Sequence, residues 1–192
     1  MATTLTHIED SEKILKKEDL WANHYSNTKC AAEFTYMSLT LFFWWKLVQE
    51  TVANHAGPLP VVLGFLFAQF VVDFVSGMLH WACDTWGEFK TPIFGPTLIR
   101  SFRMHHVDPQ DITRHGFIET NAATCYPMPP FIGFALLICS SNFLIQCYCW
   151  TIVFGVILGL LTNEIHKWAH MVHQKPHFII RFLQQTRLIL SH

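Results

Sequence analysis

Charge is scarce in this chain. Only 14% of its 192 residues are Asp, Glu, Lys or Arg, against about 25% in an ordinary soluble domain. Thirteen basic residues face fourteen acidic ones, so the basic excess of a nucleic-acid binder is missing. No CxxC pair occurs, and the six cysteines have no framework spacing, which excludes a disulfide-stapled secreted domain. Cys139, Cys147 and Cys149 lie in an apolar run and read as packing residues. GxSxG and HExxH are both absent, so neither a serine-lipase elbow nor a zinc-protease helix is present. There is no internal repeat. Residues 1–33 are polar and charged, unlike a secretory signal, and Glu9, Asp10, Glu12, Glu18 and Asp19 make them too acidic for an organelle transit peptide. They read as a cytosolic tail with a candidate surface helix at 11–22.

Apolar residues are abundant, at 51% of the chain, and 15% are aromatic, which excludes disorder. Run lengths then decide the class, because crossing a bilayer takes about 20 apolar residues of helix. Phe34–Val52 is one such run and Leu59–Leu79, whose only formal charge is Asp73, is a second. Met128–Leu161 is uncharged and too long for one simple span. Ser140-Ser141-Asn142 inside it predicts a tight turn and divides it into helices at about 124–140 and 143–166. The expected fold is an all-α membrane protein with about four transmembrane helices. Lys and Arg cluster before the first run, between the second and third, and after the fourth, and are absent from the other two connections. The positive-inside rule therefore puts both termini and the long middle loop in the cytosol.

Twelve histidines matter by their placement. His80 ends the second span, His105, His106 and His115 lie in the middle loop, and His166 and His170 end the fourth span. Parity brings all six to one membrane face. His166 and His170 stand at i,i+4 and share a helix face, which His173 extends. The adjacent pair His105-His106 suits a loop or helix end offering ligands in two directions. The six together predict a histidine-rich metal centre at the cytosolic face. Asp73, His80 and Asp84 share one face of the second helix. Asp73 and Asp84 are candidates to accept the free N–H of a ligating imidazole, with helix-packing hydrogen bonds as the alternative. Glu119 and Asn121 fit a ligand, a supporting or a loop role, and spacing does not choose. Arg100 and Arg103 suit a lipid phosphate or plain anchoring to headgroups. Spacing does not identify the metal: iron would oxidise a lipid C–H bond with dioxygen, zinc would hydrolyse a lipid or peptide, and a scaffold would do neither.

Three segments resemble the Kua/CarF lipid desaturases. They are Asp73-Phe-Val-Ser-Gly-Met-Leu-His80-Trp-Ala-Cys-Asp84-Thr-Trp-Gly87, then Arg100-Ser-Phe-Arg103-Met-His105-His106-Val-Asp-Pro109 continued by Arg114-His115-Gly-Phe-Ile-Glu119-Thr-Asn121, and Thr162-Asn163-Glu-Ile-His166-Lys-Trp168-Ala-His170. The resemblance covers roughly residues 60–190. It implies a desaturase domain over 34–192 in the endoplasmic reticulum membrane that forms the vinyl-ether double bond of plasmalogens on an ether phospholipid. It further implies two non-haem irons (Fe), dioxygen, and electrons from cytochrome b5. A plant relative acts on phosphatidylglycerol in chloroplasts, a compartment the acidic N-terminus speaks against.

Two departures stand out. The family's His-Asp-Phe is here His115-Gly116-Phe117. A further histidine box, HxxHHxxPH, follows in the family after the segment resembling Leu188–His192, where this chain stops. That predicts a chain truncated at its C-terminal end, with His192 at the edge of the missing box and little activity of its own.

Overall fold

The computed structural model describes residues 27–88, 91–92, 95, 99–171 and 177–186. The expected surface helix at 11–22, His173 and His192 lie outside the described residues. Among the described residues the regular structure is helical throughout. Helix α1 is Asn27–Ala53, α2 Pro58–Trp86, α3 Arg100–Val107, α4 Phe117–Cys125, α5 Met128–Ile138, α6 Phe143–His170 and α7 Phe178–Gln185, with a 3-10 turn at Asp111–Arg114 before α4.

Local chemistry sets the boundaries. Gly57 takes a positive φ of 92°, open only to glycine at low cost, and Pro58 follows at the start of α2, where its missing N–H is no loss. Asn142 caps α6, its side-chain oxygen accepting from the N–H groups of Leu144 at 3.0 Å and Ile145 at 3.4 Å. The predicted turn at 140–142 is therefore present, and α6 runs beyond the expected end at 166 to His170.

Cross-helix contacts fix the directions. Tyr36 donates to the Tyr126 carbonyl at 3.0 Å and Thr51 meets Cys139 at 4.0 Å, so α1 runs parallel to the α4–α5 segment. Asn163 donates to Thr124 at 2.6 Å and Cys149 to the Ala135 carbonyl at 3.8 Å, so α6 runs antiparallel to that segment. Trp44 donates from its indole to the Val153 carbonyl at 3.0 Å, tying α1 to α6. Gly64 packs on Trp150, and the rings of Phe65 and Phe154 lie 5.5 Å apart. The α2–α6 contact is the most extensive among the described elements; Gly64 meets Trp150 in the first halves of the two helices, and Asp84 and Lys167 at their C-terminal ends both hold the 100–115 loop, so the helices run parallel. Four rods thus alternate in direction. The third consists of α4 and α5 end to end, interrupted at Tyr126-Pro127. Leu47, Ile132, Ala135, Cys149, Val153 and Val156 form the buried core where α1, α5 and α6 meet.

Among the described residues two helices, α2 and α6, are long and apolar enough to cross a membrane, against the four spans expected. Along α2 the large side chains Leu66, Phe67, Phe70, Phe74 and Trp81 are exposed. A soluble protein buries such a helix, whereas a lipid environment favours its outward apolar face.

Candidate metal centre

Parallel packing of α2 and α6 decides where the histidines go. With Gly64 beside Trp150 and Phe65 beside Phe154, the same register carried forward brings His80 to the level of His166 and Asp84 to that of His170. The N-terminus of α4 lies at this end too: Lys167 Nζ donates to the His115 carbonyl. Helix α3 reaches the end of α2, where Arg103 donates to the Asp84 carbonyl at 3.3 Å. One end of the bundle therefore gathers residues from four segments.

Three side chains meet within this end. His106 Nε2 lies 3.0 Å from Asp84 Oδ2. His80 Nε2 lies 3.3 Å from the same oxygen and 3.4 Å from His106 Nε2. The Phe102 ring packs edge-on against His80 at 4.8 Å between centroids and fixes its orientation. These three ligand atoms fit a metal ion. Bonds of about 2.1 Å put neighbouring ligand atoms about 3.0 Å apart in an octahedron and about 3.4 Å apart in a tetrahedron. Asp84 Oδ1 is buried without a hydrogen-bond partner among the described residues. The carboxylate is thus turned toward the two imidazoles rather than engaged in a helix-packing bond.

A second constellation surrounds His115. Its Nε2 lies 3.1 Å from Asp111 Oδ2 and its Nδ1 2.7 Å from Glu119 Oε1. The hydrogen bond to Asp111 raises the His115 pKa above the usual imidazole value, against the opposing pull of burial and with further help from Glu119. The Asp111 carboxyl is pushed down, first by its bond to His115. Asp111 also accepts from Arg114 at 3.0 Å, and Arg114 in turn pairs with Asp108.

The remaining candidates divide. His166 and His170 face one another with ring centroids 4.9 Å apart, and His170 is buried. Asn121 is fully buried and donates to the Phe117 carbonyl at 3.0 Å and to Glu164 Oε1 at 2.8 Å, so it ties α4 to α6. Arg100 opens α3. His105 lies on α3, and its side chain is outside the described residues. Asp73 is exposed on α2, in a shallow groove of about 320 Å³ shared with Phe74, Gly77, Met78 and Trp81. Among the described residues no hydrogen bond or ion pair joins it to the His80 cluster. Asp111 and Glu164 are not singled out by the sequence motifs. The signal for Asp111 is its place four residues before His115, mirroring Glu119 four residues after it.

The chain belongs to the lipid desaturase family: the profile of the lipid desaturase domain matches residues 69–192. It is 43% identical over 135 residues to plasmanylethanolamine desaturase 1 of Mus musculus, covering 68% of this chain and 49% of that protein. It is 34% identical over 189 residues to plasmanylethanolamine desaturase of Myxococcus xanthus, covering 95% of this chain and 65% of that protein. Similarity extends to the chloroplastic fatty acid desaturase 4-like 1 of Arabidopsis thaliana, at 34% identity over 128 residues, 67% of this chain and 40% of that protein. The chain thus spans between 40% and 65% of the length of these relatives. No solved structure matches it.

Proposed function

We propose that residues 34–192 form the membrane-embedded, metal-carrying domain of an oxygen-dependent desaturase that introduces the vinyl-ether double bond of an ether phospholipid, with residues 1–33 as a cytosolic tail. The observation that carries this reading is the convergence of His80, Asp84 and His106 within 3.0–3.4 Å at one end of the bundle. The names of the relatives support a desaturase over a zinc hydrolase or a scaffold. The four alternating rods serve as four crossings, and the histidine end faces the cytosol of an endoplasmic reticulum membrane. That side carries the Lys and Arg clusters. Lys167 and Arg103 hold the loop against the ends of α6 and α2, and thereby bring His106 and His115 to the helix ends.

His80, His105, His106, His115, His166 and His170 are the proposed imidazole ligands, with Asp84 joining His80 and His106 as a direct carboxylate ligand. Bound iron would supply the oxidising chemistry at the C–H bonds beside the ether oxygen, drawing on dioxygen and on electrons from cytochrome b5. The protein's part is positioning, since a lipid chain held between helix ends presents one pair of carbons to the centre. Arg100 and Arg103 put positive charge on α3 beside that centre, suited to the phosphate of the headgroup.

The test is metal analysis of the purified chain together with ether-lipid profiles of expressing cells. Iron should be bound and should fall on replacing His80, Asp84 or His106 by Ala. Zinc in place of iron, or an unaltered metal content in all three variants, would overturn the assignment.

A further inference from the structure

We propose that the groove between α1 and α6 seats the hydrocarbon chain on which the desaturase acts, with the reacting carbons at the histidine end and the rest of the chain running down toward Trp44. The proposal rests on the desaturase reading and deepens it by assigning the path of the substrate chain.

The walls give the groove a direction. Its mouth lies between Phe117 and Glu164, which stand two residues from the proposed ligands His115 and His166. Leu160 and Ile157 follow down α6, and Trp44 and Val156 close the far end. The Trp44 floor is built into the fold: its indole N–H donates from α1 to the Val153 carbonyl of α6 at 3.0 Å, which fixes the ring between the two helices. From Glu164 to Val156 the helix advances about 12 Å, away from the histidine end. The enclosed volume is about 240 Å³. A methylene takes about the space of a water molecule, roughly 30 Å³, so one run of about eight fits. Ile157 is exposed, so a chain enters sideways from the surrounding lipid.

The chemistry of the lining fits this occupant. Its one ionisable group, Glu164, stands at the mouth, and Asn121 donates to its Oε1 at 2.8 Å. Below that point the lining is apolar. A double bond formed beside the ether oxygen requires the first carbons of the chain at the metal centre and all later ones leading away from it. A groove that opens at the histidine end and descends along α6 provides that course. The groove at Asp73, Gly77 and Trp81 does not: it is hollowed from α2 alone, no second helix walls it, and it carries the Asp73 carboxylate. A hydrocarbon tail is as well accommodated by other lipid tails as by Leu and Ile, so the α1–α6 groove adds little affinity over the bilayer. What it supplies is position. A chain confined between two helices above a fixed ring presents a constant pair of carbons to the centre.

The experiment uses the full chain in nanodiscs of diacyl phosphatidylcholine. They are doped with an alkyl-acyl phosphatidylethanolamine whose alkyl chain carries a photoactivatable diazirine, either near the ether oxygen or mid-chain. Peptide mass spectrometry locates the adducts. The near label should insert at Phe117 or Glu164, and the mid-chain label at Ile157 or Trp44. Diacyl phosphatidylcholine with the mid-chain label reports bulk lipid and should mark the exposed α2 residues Phe67 and Phe70 in place of this ordered pattern. Ile157→Trp fills the groove and should lose the α1 and α6 adducts of the ether lipid while adducts on α2 persist. The label map of the unsubstituted chain needs no variant to fold. Reversed order of the two labels, ether-lipid adducts confined to α2, or the same pattern from the diacyl lipid overturns the proposal. Iron content of the same preparation tests the desaturase reading separately. Bound iron without groove adducts defeats the groove alone, and groove adducts without iron defeat the desaturase reading.

Discussion

A β-carbon at Gly64 would lie 2.4 Å from Cβ of Trp150, so α2 and α6 touch backbone to side chain at this point. That approach sets the register that brings His80 level with His166, more than a dozen residues further along each helix. Gly64→Leu should push the helices apart and cost about 1–3 kcal/mol, the usual penalty of overpacking. It should also lower metal occupancy although no proposed ligand is touched. Unfolding in detergent and metal content measured on the same preparation check both parts. Gly77→Ala is the control, since nothing lies within 4 Å of a β-carbon there.

Asp84 differs from a carboxylate that merely orients a histidine, because both imidazoles approach one oxygen. Asp84→Asn retains shape and loses charge, and should bind metal at this cluster far more weakly than the unsubstituted chain. Retention of full affinity, read by equilibrium dialysis, would return Asp84 to a supporting role.

The pH dependence of the metal-free protein follows from the His115–Asp111 pair. The His115 pKa is raised above 6.5 and that of Asp111 lowered below 3.8. A raised imidazole stabilises the fold fully below its unfolded pKa, and the benefit is lost as pH rises through the folded value. A depressed carboxylate stabilises above its unfolded pKa and loses that benefit as pH falls through the folded value. The pair therefore contributes in full between about pH 4 and pH 6.5. Metal competes with protons for His115, so loading should strengthen as pH rises above that window. Histidine NMR titration and metal binding at stepped pH check the two halves.

Asn121 is a structural polar contact in an apolar setting. It is fully buried and donates to Glu164 at 2.8 Å. Asn121→Leu removes that donor and should destabilise the helix pair by about 1–3 kcal/mol, the range for losing a hydrogen bond to a half-buried carboxyl group. Glu164→Gln in the same background should recover part of the loss, as a double-mutant cycle in chemical denaturant would show.

The proposed four-crossing arrangement predicts opposite sidedness for the two ends of α6. Glycosylation acceptors inserted at 140–142 should be modified in microsomes, and acceptors inserted at 108–110 should not. Modification at the second position would put the histidine end on the wrong side of the membrane.

Much of this was legible in the sequence because it depends on patterns a chain cannot hide. The Ser140–Asn142 break is a polar cap in an apolar run, and the His166–His170 spacing is a helix period. The third rod was harder to read. Its true start at Phe117 precedes the expected 124 because Glu119, Asn121 and Thr124 mask it from hydropathy; Glu119 pairs with His115 just before the helix, while Asn121 and Thr124 bond across to Glu164 and Asn163 on α6. The prolines at 127, 129 and 130 then split it into α4 and α5. Asp84 stood four residues from His80 in the sequence. That it meets His106 as well depends on how α3 folds back, which no local spacing encodes.

Parallel neighbours have one consequence for biogenesis. Helices α2 and α6 cannot be joined by a hairpin, so in the proposed four-crossing topology the polypeptide between them re-crosses the bilayer before they pair. A nascent chain released by the ribosome before α6 emerges would hold the His80, Asp84 and His106 donors while lacking the helix that sets their height. Under the proposed metal-carrying reading, capture of the metal at the complete site would be among the last events of insertion.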